Sequence, residues 1–229
     1  MGISGSIGKR LAPSMHRLAP DLTSGFVHEA LHRAVNGTGP LPGAASAADK
    51  QLAEQRGDVN AAIREVIGNN VRLAGAQGFV TNIGGLATAA VTIPANIAGL
   101  ALIQCRMIAG IAHLRSYDLD DRRVRNAILA CMLGEDTVRS LVKRKKIPAP
   151  PMALATAPTY DPHLDKVMSA EVASELLTKV AGKRVATTVG RRVPVVGGLV
   201  GAGADAFATW QIGRYADAEL LPRMLPDPG

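Results

Sequence analysis

The longest uncharged stretch of the chain runs from Leu73 to Cys105, 33 residues without Asp, Glu, Lys or Arg. It is built mostly from Ala, Gly, Val, Ile, Leu and Thr. Because water penalises the exposure of so much apolar surface, the stretch must lie inside the protein, inside a bilayer, or against an apolar ligand. The choice among these three environments decides much of what the chain can fold into.

Local signals divide this stretch. Residues 84–103 have the length of a membrane span, but Pro94 lies in their middle and Asn96 can cap a following helix. The sequence therefore predicts two helices, 75–91 and 95–116, which form the centre of a soluble core or a hairpin that dips into a bilayer.

The rest of the chain also reads as helical. Amphipathic helices are predicted from Asp21 to near Gly37, from 46 to 55, after Asp58, from Asp118 to the basic run at 143–146, from Asp161-Pro162 onward, and from 199 to 221. Only 193–196 could be extended, and 37–43 and 149–159 read as linkers. The predicted fold is all-α, a compact helical bundle with a Gly/Ala-rich apolar central helix pair, divided into an N-terminal arm (1–43) and a helical domain (44–225).

Composition limits the partners. The net charge of +7 favours anionic partners, but aromatic residues make up only 3%, which argues against base stacking and against a specific nucleic-acid partner. Cys105 and Cys131 lie in apolar helical patterns and read as buried thiols of a reducing compartment. With no apolar secretory segment at 1–13, the sequence predicts a cytoplasmic protein, with a peripheral position at the inner membrane face left open.

One short motif suggests a metal. His28, Glu29 and His32 form H-E-x-x-H, in which two imidazoles four residues apart on a helix could bind one zinc ion while the glutamate activates a water. No third ligand follows at a recognisable spacing, and the alternative is a surface helix with solvated histidines. No cofactor is predicted.

Other candidates would contact lipid. We expect an Ala/Gly-rich helical pair to enclose an acyl chain or to open onto a bilayer, helped by basic side chains, each contributing about 1 kcal/mol near an anionic surface. Gly197, Gly201 and Gly203 are predicted to let another helix come close. The lipid-contact candidates are Leu86, Val91, Ile93, Ile97, Leu100, Arg106, Arg115, Lys143, Arg144, Lys145 and Lys146.

Several blocks of the chain resemble the EcsC protein family. They are 89–96 (AAVTIPAN), 104–112 (QCRMIAGIA), 117–121 (YDLDD), 192–201 (RVPVVGGLVG) and 212–216 (IGRYA), and together they extend over about 57–221. The resemblance brings no catalytic residues with it. It implies an Asp after the proline and an Asn in the last helix, whereas this chain has Asn96 and Asp205 there, an exchanged pair that we expect to share a hydrogen bond in the core.

These observations favour a non-enzymatic protein that binds lipid or an anionic membrane surface through its apolar helices. Two alternatives stay open at this point. One is an interaction module that docks a membrane protein, such as a transporter, through the same apolar face. The other is a zinc-dependent hydrolase that uses His28, Glu29 and His32.

Overall fold

The computed structural model describes residues 25–76, 95–189 and 194–223, with the backbone alone at 95–97, 179–189 and 194–202. Helices dominate these residues and share one main core, which confirms the all-α prediction. The elements are α1 (ending at residue 36), β1 (Gly37–Thr38), β2 (Leu41–Pro42), α2 (Ala44–Glu54), α3 (Val59–Gly75), α4 (Ala95–Leu114), α5 (Arg122–Leu133), α6 (Glu135–Lys143), α7 (Pro151–Ala155), α8 (Pro162–Val189) and α9 (Pro194–Glu219).

Helix α4 lies at the centre of the described fold. It packs against α2, α3, α5 and α9, and from residue 98 to its end nearly every side chain is buried, including Leu102, Met107, Ile108 and Ile111. The predicted helix 95–116 is therefore confirmed. The last part of the uncharged stretch, from Ala98 to Cys105, lies inside protein, whereas 77–94, and with it most of the first predicted helix, lies outside the described residues.

The N-terminal helix belongs to the same core. Phe26, Val27 and Leu31 of α1 are buried together with side chains of α3, α4 and α5. A tight antiparallel hairpin, in which Gly37 pairs with Pro42, joins α1 to α2 where the sequence suggested a linker. Gly37 adopts a φ of +90°, which is strained for any residue with a side chain.

The region after α4 departs from its prediction in two places. Asp118 is not the cap of a long helix: its Oδ1 accepts a hydrogen bond from the Asp120 N–H in a turn, and Asp121 caps α5 by accepting from the Arg123 N–H. The predicted single helix is also divided at Gly134, whose φ of +79° ends α5 and precedes α6. Hydrophobic periodicity continues across this break because both helices bury their apolar faces in one core.

Two segments are more helical than the sequence suggested. The predicted linker 149–159 contains the short helix α7, whose Leu154 and Ala155 are buried against α5. Pro194–Val196 begin α9, so the extended alternative for them is wrong. The fixed φ of proline suits the first position of a helix, which accounts for the start at Pro194 as it does for α8 at Pro162.

A close approach between helices occurs at a glycine that the sequence did not single out, and of the three predicted glycines the structure tests only Gly203. A Cβ added at Gly203 would meet nothing within 4 Å. The surroundings of Gly197 and Gly201 lie outside the described part of the structure. The close approach is at Gly213 of α9, where an added Cβ would lie 3.0 Å from Met107 Sδ and 3.1 Å from Ile67 Cγ1.

We therefore expect Gly213→Ala to lower the free energy of unfolding by about 1–2 kcal/mol, because overpacking of the junction of α3, α4 and α9 outweighs the gain in helix propensity. Gly110→Ala on α4 is the matched control. Its Cβ would meet Val66 Cγ1 at an ordinary 3.4 Å, so the gain in helix propensity should raise stability by up to about 1 kcal/mol. Urea denaturation of both variants measures the difference, and equal effects would contradict the packing described.

Candidate functional site

The two histidines of H-E-x-x-H make separate hydrogen bonds. His28 Nε2 lies 2.8 Å from Ser169 Oγ, and because that hydroxyl donates to the Asp165 carbonyl, the imidazole is the donor and joins α1 to α8. His32 Nδ1 lies 3.0 Å from Asn36 Nδ2, and Glu29 pairs with Arg33. Within the described residues, no group of three or more His, Cys, Asp or Glu side chains is placed to hold a metal ion.

The apolar lipid candidates divide into two sets. Leu86, Val91 and Ile93, together with the side chain of Ile97, lie outside the described part of the structure. Leu100 is buried in a small cluster with Ile103 of α4 and Ala74 of α3, so it faces protein rather than solvent. Among the helices that the structure describes, none combines the length and apolar character needed to cross a bilayer.

Arg106 on α4 and Arg115, directly after the end of α4, lie in different environments. Arg115 turns inward: its Nη2 lies 2.9 Å from Asp217 Oδ1, and the two side chains are 12% and 25% exposed. Arg106 is half-buried, its Nε donates to the Pro42 carbonyl at 3.0 Å, and burial lowers the pKa of its guanidinium. Of these two arginines, Arg106 is the one whose guanidinium forms no ion pair with a carboxylate of the described residues.

The basic run begins at Lys143, the last residue of α6. Lys143, Arg144 and Lys145 are exposed and form no ion pair within the described ranges, whereas Lys146 Nζ lies 2.7 Å from Glu171 Oε1. Lys145 has a φ of +57°, in the turn that ends the helix. Three positive charges thus remain available to an anionic partner.

The proposed polar pair remains a prediction. The side chain of Asn96 lies outside the described residues, so its distance from Asp205 is not defined. Asp205 is partly buried on α9 and has interactions of its own.

Two aromatic side chains on α9 form a surface that sequence reasoning missed. Phe207 is 58% exposed and Trp210 is 47% exposed, and their rings stack with centroids 5.9 Å apart. Arg214, one turn further along the same side of α9, is also exposed. We call these three side chains the aromatic surface. A signal was present, since two of the chain's few aromatics lie three residues apart, but such spacing is more often that of a buried helix face.

A groove of about 570 Å³ runs beside this surface, between α9 and the start of α6. Trp210 and Arg214 line one side, and Glu135 and Asp136 line the other. Burial raises the pKa of the Glu219 carboxyl, which also lines the groove, and the negative charge of Glu135 acts in the same direction. The groove therefore combines an aromatic wall with an acidic one.

Both cysteines are free and buried, as their sequence positions predicted. Cys105 Sγ lies 2.9 Å from Met132 Sδ. Burial raises the pKa of the Cys105 thiol to about 12 and raises that of Cys131 as well, so both are protonated near neutral pH. Such thiols are poor nucleophiles, because the thiolate is the reactive form.

Almost the whole chain matches a known protein family. The model of the EcsC protein family matches residues 7–225 of the 229. No curated protein and no solved structure matches significantly. The family match includes α1 as well as the sequence blocks that suggested the resemblance. The chain therefore belongs to the EcsC protein family.

Proposed function

We propose that this EcsC-family protein is a non-enzymatic helical protein that binds lipid at an anionic membrane surface through the apolar helix α9. Phe207 and Trp210 would enter the interfacial region, and Arg214 would contact the headgroups. Lys143, Arg144 and Lys145 add positive charge that such a surface attracts. The protein would sit at the cytoplasmic side as a peripheral protein.

The observation that carries this proposal is the exposure of the stacked pair, 58% for Phe207 and 47% for Trp210, in a chain with few aromatics. Tryptophan and other amphipathic aromatics favour the boundary between headgroups and acyl chains. Removing the exposed parts of both rings from water would contribute about 2–3 kcal/mol. Each basic residue close to an anionic surface would add about 1 kcal/mol, which gives reversible binding.

Flotation with vesicles tests this proposal. Wild-type protein should float with vesicles rich in phosphatidylglycerol and much less with phosphatidylcholine alone. The double variant Phe207→Ser/Trp210→Ser should bind the anionic vesicles at least about tenfold more weakly, since about 1.4 kcal/mol corresponds to that factor. Leu221→Ser is the matched control, because Leu221 is also 48% exposed but lies beyond the end of α9.

The control should bind like the wild type, and all variants should keep the wild-type unfolding temperature. Wild-type protein that ignores anionic vesicles, or a double variant that binds as well as Leu221→Ser, would contradict the proposal.

Docking of a membrane-protein partner is a second candidate function. The acidic wall of the 570 Å³ groove, formed by Glu135 and Asp136 beside Trp210, suits a basic segment of such a partner. In that case Glu135→Gln/Asp136→Asn would abolish capture of the partner, whereas vesicle binding would be unchanged or strengthened.

A further inference from the structure

A second groove lies between α2, α3 and α4, and it uses different residues from the aromatic surface. Its volume is about 490 Å³, within the usual range of sites for small molecules, about 300–1,000 Å³. The three helices meet at Gly110, where an added Cβ would lie 3.4 Å from Val66 Cγ1 and 3.6 Å from Ala48 Cβ. Small and aliphatic side chains form much of the lining, namely Ala44, Ala47, Ala48, Val66, Leu73 and Ala76. The groove can therefore accept a hydrocarbon chain.

The charged residues that line this groove are all basic. They are Lys50, Arg72 and Arg106, and the described lining contains no Asp or Glu. Lys50 and Arg72 are exposed, and each lies near a carboxylate outside the lining, at 3.9 Å from Glu54 and 3.5 Å from Glu65. The groove therefore presents one sign of charge to a bound molecule, and an anionic ligand complements it.

Arg106 is the member of this basic set that has no counter-ion among the described residues. It is half-buried on α4, one turn before Gly110 and on the same face of the helix. Its Nε donates to the Pro42 carbonyl at 3.0 Å, and because Pro42 also lines the groove, this bond holds the guanidinium at the edge of the groove.

The remaining donors of Arg106 determine which ligand fits. No hydrogen bond within the described structure uses either of its Nη atoms. A partly desolvated guanidinium without a counter-ion is stabilised by a carboxylate, which can accept two parallel N–H groups at once. One such arginine matches one negative charge, rather than the several charges of a nucleotide or an acidic peptide.

We propose that this groove binds a free medium-chain fatty acid. Its carboxylate pairs with the Arg106 guanidinium, and its hydrocarbon chain lies against the alanine, valine and leucine side chains of α2 and α3. The site stands apart from the membrane proposal, because vesicle flotation depends on the aromatic surface and fatty-acid binding depends on Arg106.

Titration calorimetry of the full chain with decanoate tests the site. Wild-type protein should bind decanoate saturably at one site. The uncharged 1-decanol should bind at least about tenfold more weakly, the factor expected when a hydrogen bond to a charged group is lost. Hexanoate should also bind at least about tenfold more weakly, because its shorter chain buries less apolar surface. These comparisons between ligands need no variant.

Variants locate the bound molecule. Arg106→Gln should weaken decanoate binding by at least about tenfold, whereas Arg64→Gln, an exposed change of the same charge on α3 outside the lining, should bind like the wild type. Ala47→Leu places a larger side chain in the half-buried lining and should weaken binding too, whereas the exposed Ser46→Leu, outside the lining, should not. If Arg106→Gln does not fold, the Ala47→Leu comparison and the ligand series decide.

The double variant Phe207→Ser/Trp210→Ser should bind decanoate like the wild type, which separates this site from the aromatic surface. The proposal is overturned by absent saturable binding of decanoate, by equal wild-type affinity for decanoate and 1-decanol, or by loss of decanoate binding in the double variant. Equal effects of Arg106→Gln and Arg64→Gln, or of Ala47→Leu and Ser46→Leu, would overturn it as well.

Discussion

Replacing Ile108 by alanine is expected to lower the free energy of unfolding by about 3–4 kcal/mol. Ile108 is fully buried in the middle of α4, and α4 is enclosed by α2, α3, α5 and α9. The substitution removes three carbon atoms from a close-packed site and leaves a cavity that the surrounding helices fill only in part. Urea denaturation followed by circular dichroism measures the loss.

Leu221→Ala is the control for this experiment, because Leu221 is an apolar side chain that is 48% exposed. Its truncation should change stability by less than about 0.5 kcal/mol. A cost below about 1 kcal/mol for Ile108→Ala would mean that the centre of α4 is not packed as described.

Replacing Asp217 by alanine is expected to lower stability by about 2–4 kcal/mol, because it leaves the Arg115 guanidinium buried without its counter-ion. The pair is close, 2.9 Å, and largely shielded, with Arg115 only 12% exposed. Arg115 Nε is also buried without a partner in the described structure, so the Asp217 bond is the main compensation for the charge. Arg115 also contacts the segment after α9, because its carbonyl accepts a hydrogen bond from the Arg223 N–H.

Glu54→Ala offers a comparison for this ion pair. Glu54 and Lys50 lie 3.9 Å apart with side chains 51% and 74% exposed, and such pairs contribute about 0–1 kcal/mol. Arg115→Met/Asp217→Leu should recover much of the loss, since the uncompensated charge is removed. Equal small losses for Asp217→Ala and Glu54→Ala in thermal unfolding would show that the Arg115 pair is effectively solvated.

The sequence predicted those features of the fold that depend on local chemistry. Pro94 marks the start of α4 and Asp161-Pro162 marks that of α8, because caps and prolines act within a few residues. Asn96, which was predicted to cap α4, is instead its second residue. The prediction of the cap at Asp118 was wrong, because three aspartates lie close together there and Asp121 is the one that caps α5. The prediction of one long helix was wrong at Gly134, because the hydrophobic pattern continues from α5 into α6 although the helical backbone is interrupted there.

The candidate site was less predictable because contacts distant in sequence decide it. Arg106 and Arg115 read alike as basic flanks of an apolar helix, but Arg115 meets Asp217, which lies 102 residues away, and Arg106 does not meet a described carboxylate. Phe207 and Trp210 have the spacing of a buried face, and only the packing of α9 shows that they are exposed.

Emission from Trp210, the only tryptophan of the chain, tests the membrane proposal most directly. Because Trp210 is 47% exposed, its fluorescence reports on the aromatic surface without any label. Addition of phosphatidylglycerol vesicles should shift the emission to shorter wavelength, and brominated acyl chains in the same vesicles should quench it. Emission that stays at the wavelength seen in buffer and is not quenched, at lipid concentrations well above that of the protein, would contradict membrane binding through α9.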